Sequence, residues 1–362
     1  MEKGSDKIKR VAVIGTRGVP ASYGGFESLV ENLLGENCPE NVKYTVFCSG
    51  KDMPEKLPAF RGADLRYVGL HANGIQSVPY DVISMCRALA GYDVMLILGV
   101  SGCLFLPIVK ALFRGKIIVN IDGMEHRRAK WGKAARWLLR NSEAMAVRFA
   151  DVVVADNKGI QDYVLERYGK NVEMIAYGGD NVCRNLSDAE IIRIINGYGL
   201  TAKDYAITVC RIEPENNSHM ILDAFARSGD TLVFVGNWGR NEYSSELRRQ
   251  YSSYPNIHLL DAIYDLEVLY ALRKSARCYV HGHSAGGTNP SLVEAMFFGN
   301  PILAYDVVFN RETTCNKAYY FKNADELIDL LHQPGLEGET MEKIAGSRYQ
   351  WRQVSQQYCN LY

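Results

Sequence analysis

Val11–Glu27 reads VAVIGTRGVPASYGGFE. An apolar run, Val11–Ile14, proceeds without polar alternation and stops at Gly15. Gly18 and the pair Gly24-Gly25 follow, and an amphipathic stretch, Glu27–Leu34, begins behind them. A short continuous apolar run suits a strand covered on both faces, and the glycines that follow suit a tight turn into a helix. Strand, glycine turn, helix is the opening unit of a parallel α/β sheet.

The same rhythm continues outward from this stretch. Tyr44–Cys48, Asp93–Leu98, Lys116–Ile121 and Asp151–Ala155 read as further strands, with helices expected over Ile83–Ala90 and Ala134–Ala150. The rhythm breaks at AYGGD, where Gly178 and Gly179 follow a strand-like segment, and restarts at Tyr205–Cys210. Thr231–Val235, Ile257–Leu260, Arg277–His281 and Pro301–Ala304 complete a second set. Repeated βαβ units predict parallel sheets with right-handed crossovers. At 362 residues the chain suits two such domains, expected at 1–180 and 181–340. The remaining segment, 341–362, carries Trp351 and three tyrosines and is expected to pack back as a helix across both lobes.

Composition narrows the function classes. Lys+Arg and Asp+Glu each count 41, so no global basic field draws in nucleic acid. The nine cysteines are scattered, contain no CxxC pair, and several lie in strand-like runs, which predicts buried thiols in a reduced cytoplasm. The opening MEKGSDKIKR lacks the apolar stretch of a signal peptide. Residues 94–113, VMLILGVSGCLFLPIVKALF, are apolar enough to suggest a membrane span. Gly99, Ser101, Gly102 and Pro107 interrupt them, so the reading is buried strand, turn, helix.

Three clusters stand where a strand ends and a helix begins, the place where open α/β sheets bind ligands. In the first, glycine N–H groups and a helix N-terminus can approach an anion, and Arg17 adds a fork of donors. Its spacing departs from GxGxxG, which removes the main support for a hydride-transfer enzyme. The second, VNIDGMEHRRAKWGKAARWLLR, places Asp122 and Glu125 after a strand, where a carboxylate can take a proton, hold a hydroxyl or cap a helix. Residues 127–140 there are basic and carry Trp131 and Trp137, a composition that suits either an anionic membrane surface or a solvated helix face.

The third cluster is split between VCRIEPENNSHMIL and VHGHSAGGTNPSLVEAM. Arg211 follows a strand, and Gly286, Gly287 and Thr288 can offer N–H groups to a diphosphate that Arg211 neutralises. Pro290 suits a first helical turn, and Glu294 one turn later can accept from a sugar or ribose hydroxyl. His281 and His283 have no third ligand at metal spacing, so no metal is expected. P-loop lysine, nucleophile-elbow and HExxH motifs are absent from the sequence.

GTRGVPASYGGFE, IDGMEHRRAKW, RIEPENN and GHSAGGTNPSLVEAM, in that order, resemble the retaining family 4 glycosyltransferases of the GT-B fold. Within that family the likeness is to bacterial rhamnosyltransferases of surface-polysaccharide assembly, and it covers nearly the whole chain. The resemblance implies an α/β protein of two Rossmann-like parallel-sheet domains facing across a cleft. It implies an acceptor-side N-terminal domain and a nucleotide-sugar-binding C-terminal domain. The implied reaction moves a deoxyhexose, L-rhamnose from dTDP-rhamnose, to a lipid-linked saccharide, with no separate cofactor.

Residue by residue, the resemblance places Gly24 and Gly25 near the donor phosphates and acceptor, Arg211 on the diphosphate and Glu294 on the nucleotide ribose. Asp122 stands where many relatives have a histidine near the reacting sugar. The donor set is completed by Asn216 and the loop Gly286, Gly287, Thr288, Asn289; Arg17, Glu27 and Glu125 are assigned to the acceptor side. Two positions depart from the pattern. Asn216 stands where relatives usually carry lysine, and Gly286 where they usually carry glutamate. These departures point to an altered donor, and they leave open a UDP- or GDP-hexose transferase, an epimerase of the same fold or a non-catalytic binding subunit. A cytoplasmic protein at the inner face of the membrane is expected.

Overall fold

The computed structural model describes residues 8–21, 24–123 and 132–362. The chain forms two compact units, Met1–Tyr177 joined by Trp351–Tyr362, and Gly178–Gln350.

The first unit holds an eight-stranded sheet in the order β3-β4-β2-β1-β5-β6-β7-β8. Its strands are β1 (Lys9–Ile14), β2 (Val42–Ser49), β3 (Ala59–Phe60), β4 (Ala63–Val68), β5 (Val94–Leu98), β6 (Lys116–Asn120), β7 (Val152–Ala155) and β8 (Glu173–Met174). All pairings are parallel except the edge hairpin β3–β4. Its helices are α1 (Gly25–Leu33), α2 (Ser77–Arg87), α3 (Leu106–Leu112), α4 (Lys133–Phe149) and α5 (Lys158–Tyr168). In β1, Val11 and Val13 pack into the cluster that contains Leu29, Val30 and Leu33 of α1, while the intervening Ala12 and Ile14 are also fully buried. Burial on both faces is why the strand sequences do not alternate.

The second unit is a six-stranded parallel sheet, order β11-β10-β9-β12-β13-β14. It comprises α6 (Asp188–Gly197), β9 (Tyr205–Val209), α7 (Ser218–Ser228), β10 (Thr231–Gly236), α8 (Glu242–Tyr251), β11 (Ile257–Asp261), α9 (Leu266–Ser275) and β12 (Cys278–His281). It continues with α10 (Pro290–Met296), β13 (Ile302–Tyr305), α11 (Val308–Thr313), β14 (Tyr319–Phe321), α12 (Ala324–His332) and α13 (Glu339–Arg348). Ile207, Leu232, Phe234, Val280 and Leu303 are among the buried side chains of its strands.

Two local expectations change. The helix placed at Ile83–Ala90 starts earlier, at Ser77, because Pro79 lies in its first turn, where a missing N–H costs no hydrogen bond. The final segment is two helices, α13 and α14 (Trp351–Asn360), divided at Tyr349–Gln350. Only α14 belongs to the first unit, where Trp351, Val354 and Tyr358 enter the core. Residues 94–113 form β5, a turn, a short 3-10 helix at Cys103–Phe105 and α3, as the strand-turn-helix reading expects. No described helix is long and apolar enough to cross a membrane. All nine cysteines are unpaired thiols.

Candidate active site

Each sheet has one point where the strand order reverses: between β1 and β5 in the first unit, and between β9 and β12 in the second. Loops leaving the carboxyl ends of two such strands diverge to opposite sides of the sheet and leave a crevice. The sequence clusters occupy these loops.

In the first unit, Glu27 of α1 is buried and turns inward beneath the glycine loop. Its Oε1 accepts from Thr16 Oγ1 at 3.0 Å and from the Arg17 N–H at 2.8 Å. Burial pushes the Glu27 carboxyl above its usual range, against the Arg17 and Thr16 hydrogen bonds that pull it down. Gly24 lies at φ 112°, and a Cβ there would come within 2.1 Å of Glu27 Oε2. Glycine at 24 is what lets the carboxylate reach under the loop. Arg17 is fixed by its main chain, since its carbonyl accepts from Ser49 N–H at 2.8 Å. With the Asn73 amide turned to present its oxygen, that oxygen accepts from Arg17 Nη2 at 2.9 Å. Glu27 therefore positions the loop, while Arg17 lies half-buried at its tip. Gly24 caps α1 without a side chain, and Gly25 is the first helical residue.

Asp122 follows β6 in the left-handed region, at φ 57°. Its N–H donates to Asn120 Oδ1 at 3.0 Å, and Asn120 Nδ2 donates to Tyr358 Oη of α14 at 2.8 Å. A buried tyrosine of the last helix thus holds the turn that carries Asp122. Glu125, and residues 127, 128, 130 and 131 of the basic segment, lie outside the described residues.

In the second unit, Val209 at the end of β9 gathers the surrounding elements. Its carbonyl accepts from Ser291 Oγ of α10 at 2.6 Å and from Tyr279 Oη of β12 at 3.1 Å. Arg211 leaves this strand end half-exposed, with Nη1 3.5 Å from Glu213 Oε2. Asn216 is buried: its Nδ2 donates to the Arg211 carbonyl at 2.7 Å, and its Oδ1 lies 2.6 Å from His283 Nδ1. The side chain placed in the donor set thus braces the β9 loop against the β12 loop, with both ends of its amide engaged. Gly282 is required there, since a Cβ would meet the Asn216 carbonyl oxygen at 2.2 Å.

Beyond His283, Gly286 and Gly287 lead to a buried Thr288, and Asn289 caps α10 by accepting from Ser291 N–H at 2.9 Å. Pro290 is the first residue of α10. Glu294 is mostly buried, and its Oε2 accepts from Arg273 Nη2 of α9 at 2.8 Å. Arg273 is the largest fully buried side chain of the described residues. Its signal in the sequence is a charged residue on the apolar stripe of α9, beside Leu269 and Leu272. His281 is buried, and burial lowers its pKa to about 3, so its imidazole is neutral. No group of three His, Cys, Asp or Glu side chains among the described residues is arranged to hold a metal.

A separate concavity lined by Lys9, Asp93, Arg114, Lys116 and Tyr362 opens at the opposite, amino-terminal ends of the first unit's strands. Its position removes it from the strand-end chemistry.

Residues 8–180 match a family model described as a domain of unknown function (DUF1972), and residues 193–346 match the glycosyl transferases group 1 model. No curated protein matches the chain by sequence. Among solved structures, a sucrose-phosphate synthase from Thermosynechococcus elongatus is similar at TM-score 0.80 and 16% identity, covering 98% of each chain. Anabaena Alr3699/HepE, solved in complex with UDP, is similar at 0.75 and 16%, covering 97% of this chain and 98% of its own. An α,α-trehalose-phosphate synthase from Burkholderia xenovorans is similar at 0.72 and 11%, covering 97% and 99%. Residues 193–346 thus carry a glycosyl transferases group 1 domain, and the chain has, along its length, the GT-B fold of these solved structures.

Proposed function

We propose that the protein transfers L-rhamnose from dTDP-rhamnose to a hydroxyl of a lipid-linked saccharide in surface-polysaccharide assembly, with retention of anomeric configuration. The carrying observation is the arrangement at the end of β9, where Arg211, the 286–289 loop and Glu294 stand on one strand-end crevice of the group 1 domain. Arg211 and the loop N–H groups take the diphosphate, and Glu294 Oε1 accepts from a ribose hydroxyl while Arg273 holds Oε2. Donors fixed before the reaction stabilise charge that develops on the leaving phosphate. The acceptor oxygen bonds to the anomeric carbon as the carbon–oxygen bond to the diphosphate breaks. The bonding pair leaves with the diphosphate, and the acceptor proton passes to a departing phosphate oxygen. Of the first unit, Gly24 and Gly25 are assigned to the donor phosphates and acceptor, Arg17 to the acceptor side and Asp122 to the reacting sugar.

A UDP-hexose donor is the second reading, favoured by the Anabaena HepE structures solved with UDP and UDP-glucose. The protein is proposed to act in the cytoplasm, at the inner membrane face, through the basic segment 127–140.

A thermal-shift panel with dTDP, dTDP-rhamnose, UDP, GDP and NAD tests the assignment, because a ligand that binds the native state raises its apparent stability. Stabilisation by dTDP and dTDP-rhamnose, abolished by Arg211→Ala, is the expected result. A response to UDP alone would transfer the reading to a UDP-hexose. An undiminished response in Arg211→Ala would remove the diphosphate assignment.

A further inference from the structure

Residues 103–113 are apolar around the whole helix circumference, apart from Lys110. The fold accounts for only one side. Cys103, Leu106, Val109 and Phe113 are buried beneath the sheet's crossover, whereas Leu104, Phe105, Ile108 and Leu112 face outward with 36%, 40%, 52% and 60% of their surface exposed. Leu104, Ile108 and Leu112 recur at intervals of four with Phe105 beside the first, which is one continuous stripe along the 3-10 turn and α3. α4 packs beside both elements and exposes Trp137 at 66%. An apolar stripe of this length on a surface marks a contact.

Charge identifies what the contact is. The exposed α4 positions include Lys133, Arg136, Arg140 and Arg148, and the loop after α3 exposes Arg114. No acidic residue occurs between Asp93 and Asp122. Within α4 the one acid is Glu143, buried where it accepts from Tyr163 Oη and Tyr168 Oη. Among the described residues, the acid that ion-pairs with α3 is Asp151, whose partner is Lys110. Self-association about a two-fold axis would set these cations against their own copies, with no exposed acid on either helix to offset them.

We propose that the outer face of α3, with Trp137 and the cations of α4, docks the protein on an anionic lipid bilayer. The stripe enters the interface, and the cations lie at headgroup level. Apolar insertion bordered by Lys and Arg is the arrangement by which helices lie in a membrane surface. This deepens the membrane contact proposed for 127–140 and rests on that partner, not on the donor sugar.

Cosedimentation of the full chain with vesicles of phosphatidylcholine, with and without one quarter phosphatidylglycerol, tests it. Binding to the anionic vesicles is expected. Ile108→Glu/Leu112→Glu should lower the partition coefficient about tenfold or more at every salt concentration, and Arg136→Gln/Arg140→Gln should lower it chiefly at low salt. Brominated lipids should quench a fluorescence component that Trp137→Phe removes. Positions 108 and 112 are exposed, so the nucleotide thermal shift serves as a folding control and should be unchanged. Wild-type partitioning by the double glutamate variant would overturn the proposal. So would a dimer in sedimentation velocity that the same variant dissolves. A missing nucleotide response with vesicle binding intact would instead remove the donor reading alone.

Discussion

Arg273 of α9 and Glu294 of α10 form an ion pair at 2.8 Å in which the arginine is almost wholly buried and the carboxylate is the more exposed partner. A buried guanidinium is costly unless paired, so the arginine fixes the glutamate's rotamer as much as the glutamate neutralises the arginine. Glu294 is held by Oε2, which leaves Oε1 as the oxygen available to a ligand.

Arg273→Met keeps most of the volume and removes the cation. It should destabilise the protein by about 3 kcal/mol, read as a lower urea midpoint at unchanged slope. Arg273→Met/Glu294→Met should recover part of that stability without recovering turnover. Recovery of both would show that Glu294 serves stability alone.

Asp81 of α2 is buried, with Gly102 N–H donating to its Oδ2 at 3.1 Å, and burial pushes its carboxyl up to about 8. The folded state therefore keeps a proton that the unfolded chain has lost between 3.8 and about 8, and stability falls as pH rises through that window. Asp81→Asn cannot ionise. Its stability advantage over wild type should grow with pH across the window, by up to about 1.4 kcal/mol per unit. Parallel urea-midpoint profiles for the two proteins would contradict this.

Tyr358→Phe removes one hydroxyl and leaves the α14 core packing intact. The expected loss is about 1 kcal/mol from the Asn120 hydrogen bond. Because Asn120 also holds the Asp122 N–H, turnover should fall while the nucleotide thermal shift remains. A double-mutant cycle with Asn120→Ala should show the two changes to be non-additive.

Asn216→Lys introduces the residue that the family resemblance implies at this position. Here it would replace a buried amide engaged at both ends by a cation with no acceptor for His283, at a cost of about 2 kcal/mol or more. A weaker nucleotide response and a lower melting temperature are expected. Tighter dTDP binding at unchanged stability would mean that the lysine reaches the diphosphate.

Ten of the eleven strands with four or more residues were legible as apolar runs, most of them buried on both faces; Ala63–Val68 was not, because Asp64 and Arg66 interrupt it. The short ones were not. Ala59–Phe60 and Glu173–Met174 are two-residue edge pairings whose existence depends on the neighbouring strand, and Tyr319–Phe321 is one residue longer. Position relative to strand ends located Arg211, Glu294 and the glycine loops, since that signal is local. What each polar side chain faces is decided by residues far away in the chain. Glu27 reads as an acceptor-side carboxylate in sequence and braces Thr16 and Arg17 in the fold. Asn216 reads as a donor ligand and joins two loops through His283. Tyr358 could not be tied to Asn120 from sequence, because 238 residues separate them.

The return of α14 to the first unit also sets an order of events during synthesis. Trp351, Val354 and Tyr358 complete the core against which Leu29, Val30 and Leu33 of α1 pack. While the ribosome translates residues 178–350, the first unit has its strands but not that cover, so the part of its core that α14 closes waits in water. The second unit has all its elements before the last helix emerges. Although domains generally fold in the order they are made, here the one begun first is finished last. A nascent chain arrested before Trp351 is therefore the form with the greatest need of a chaperone.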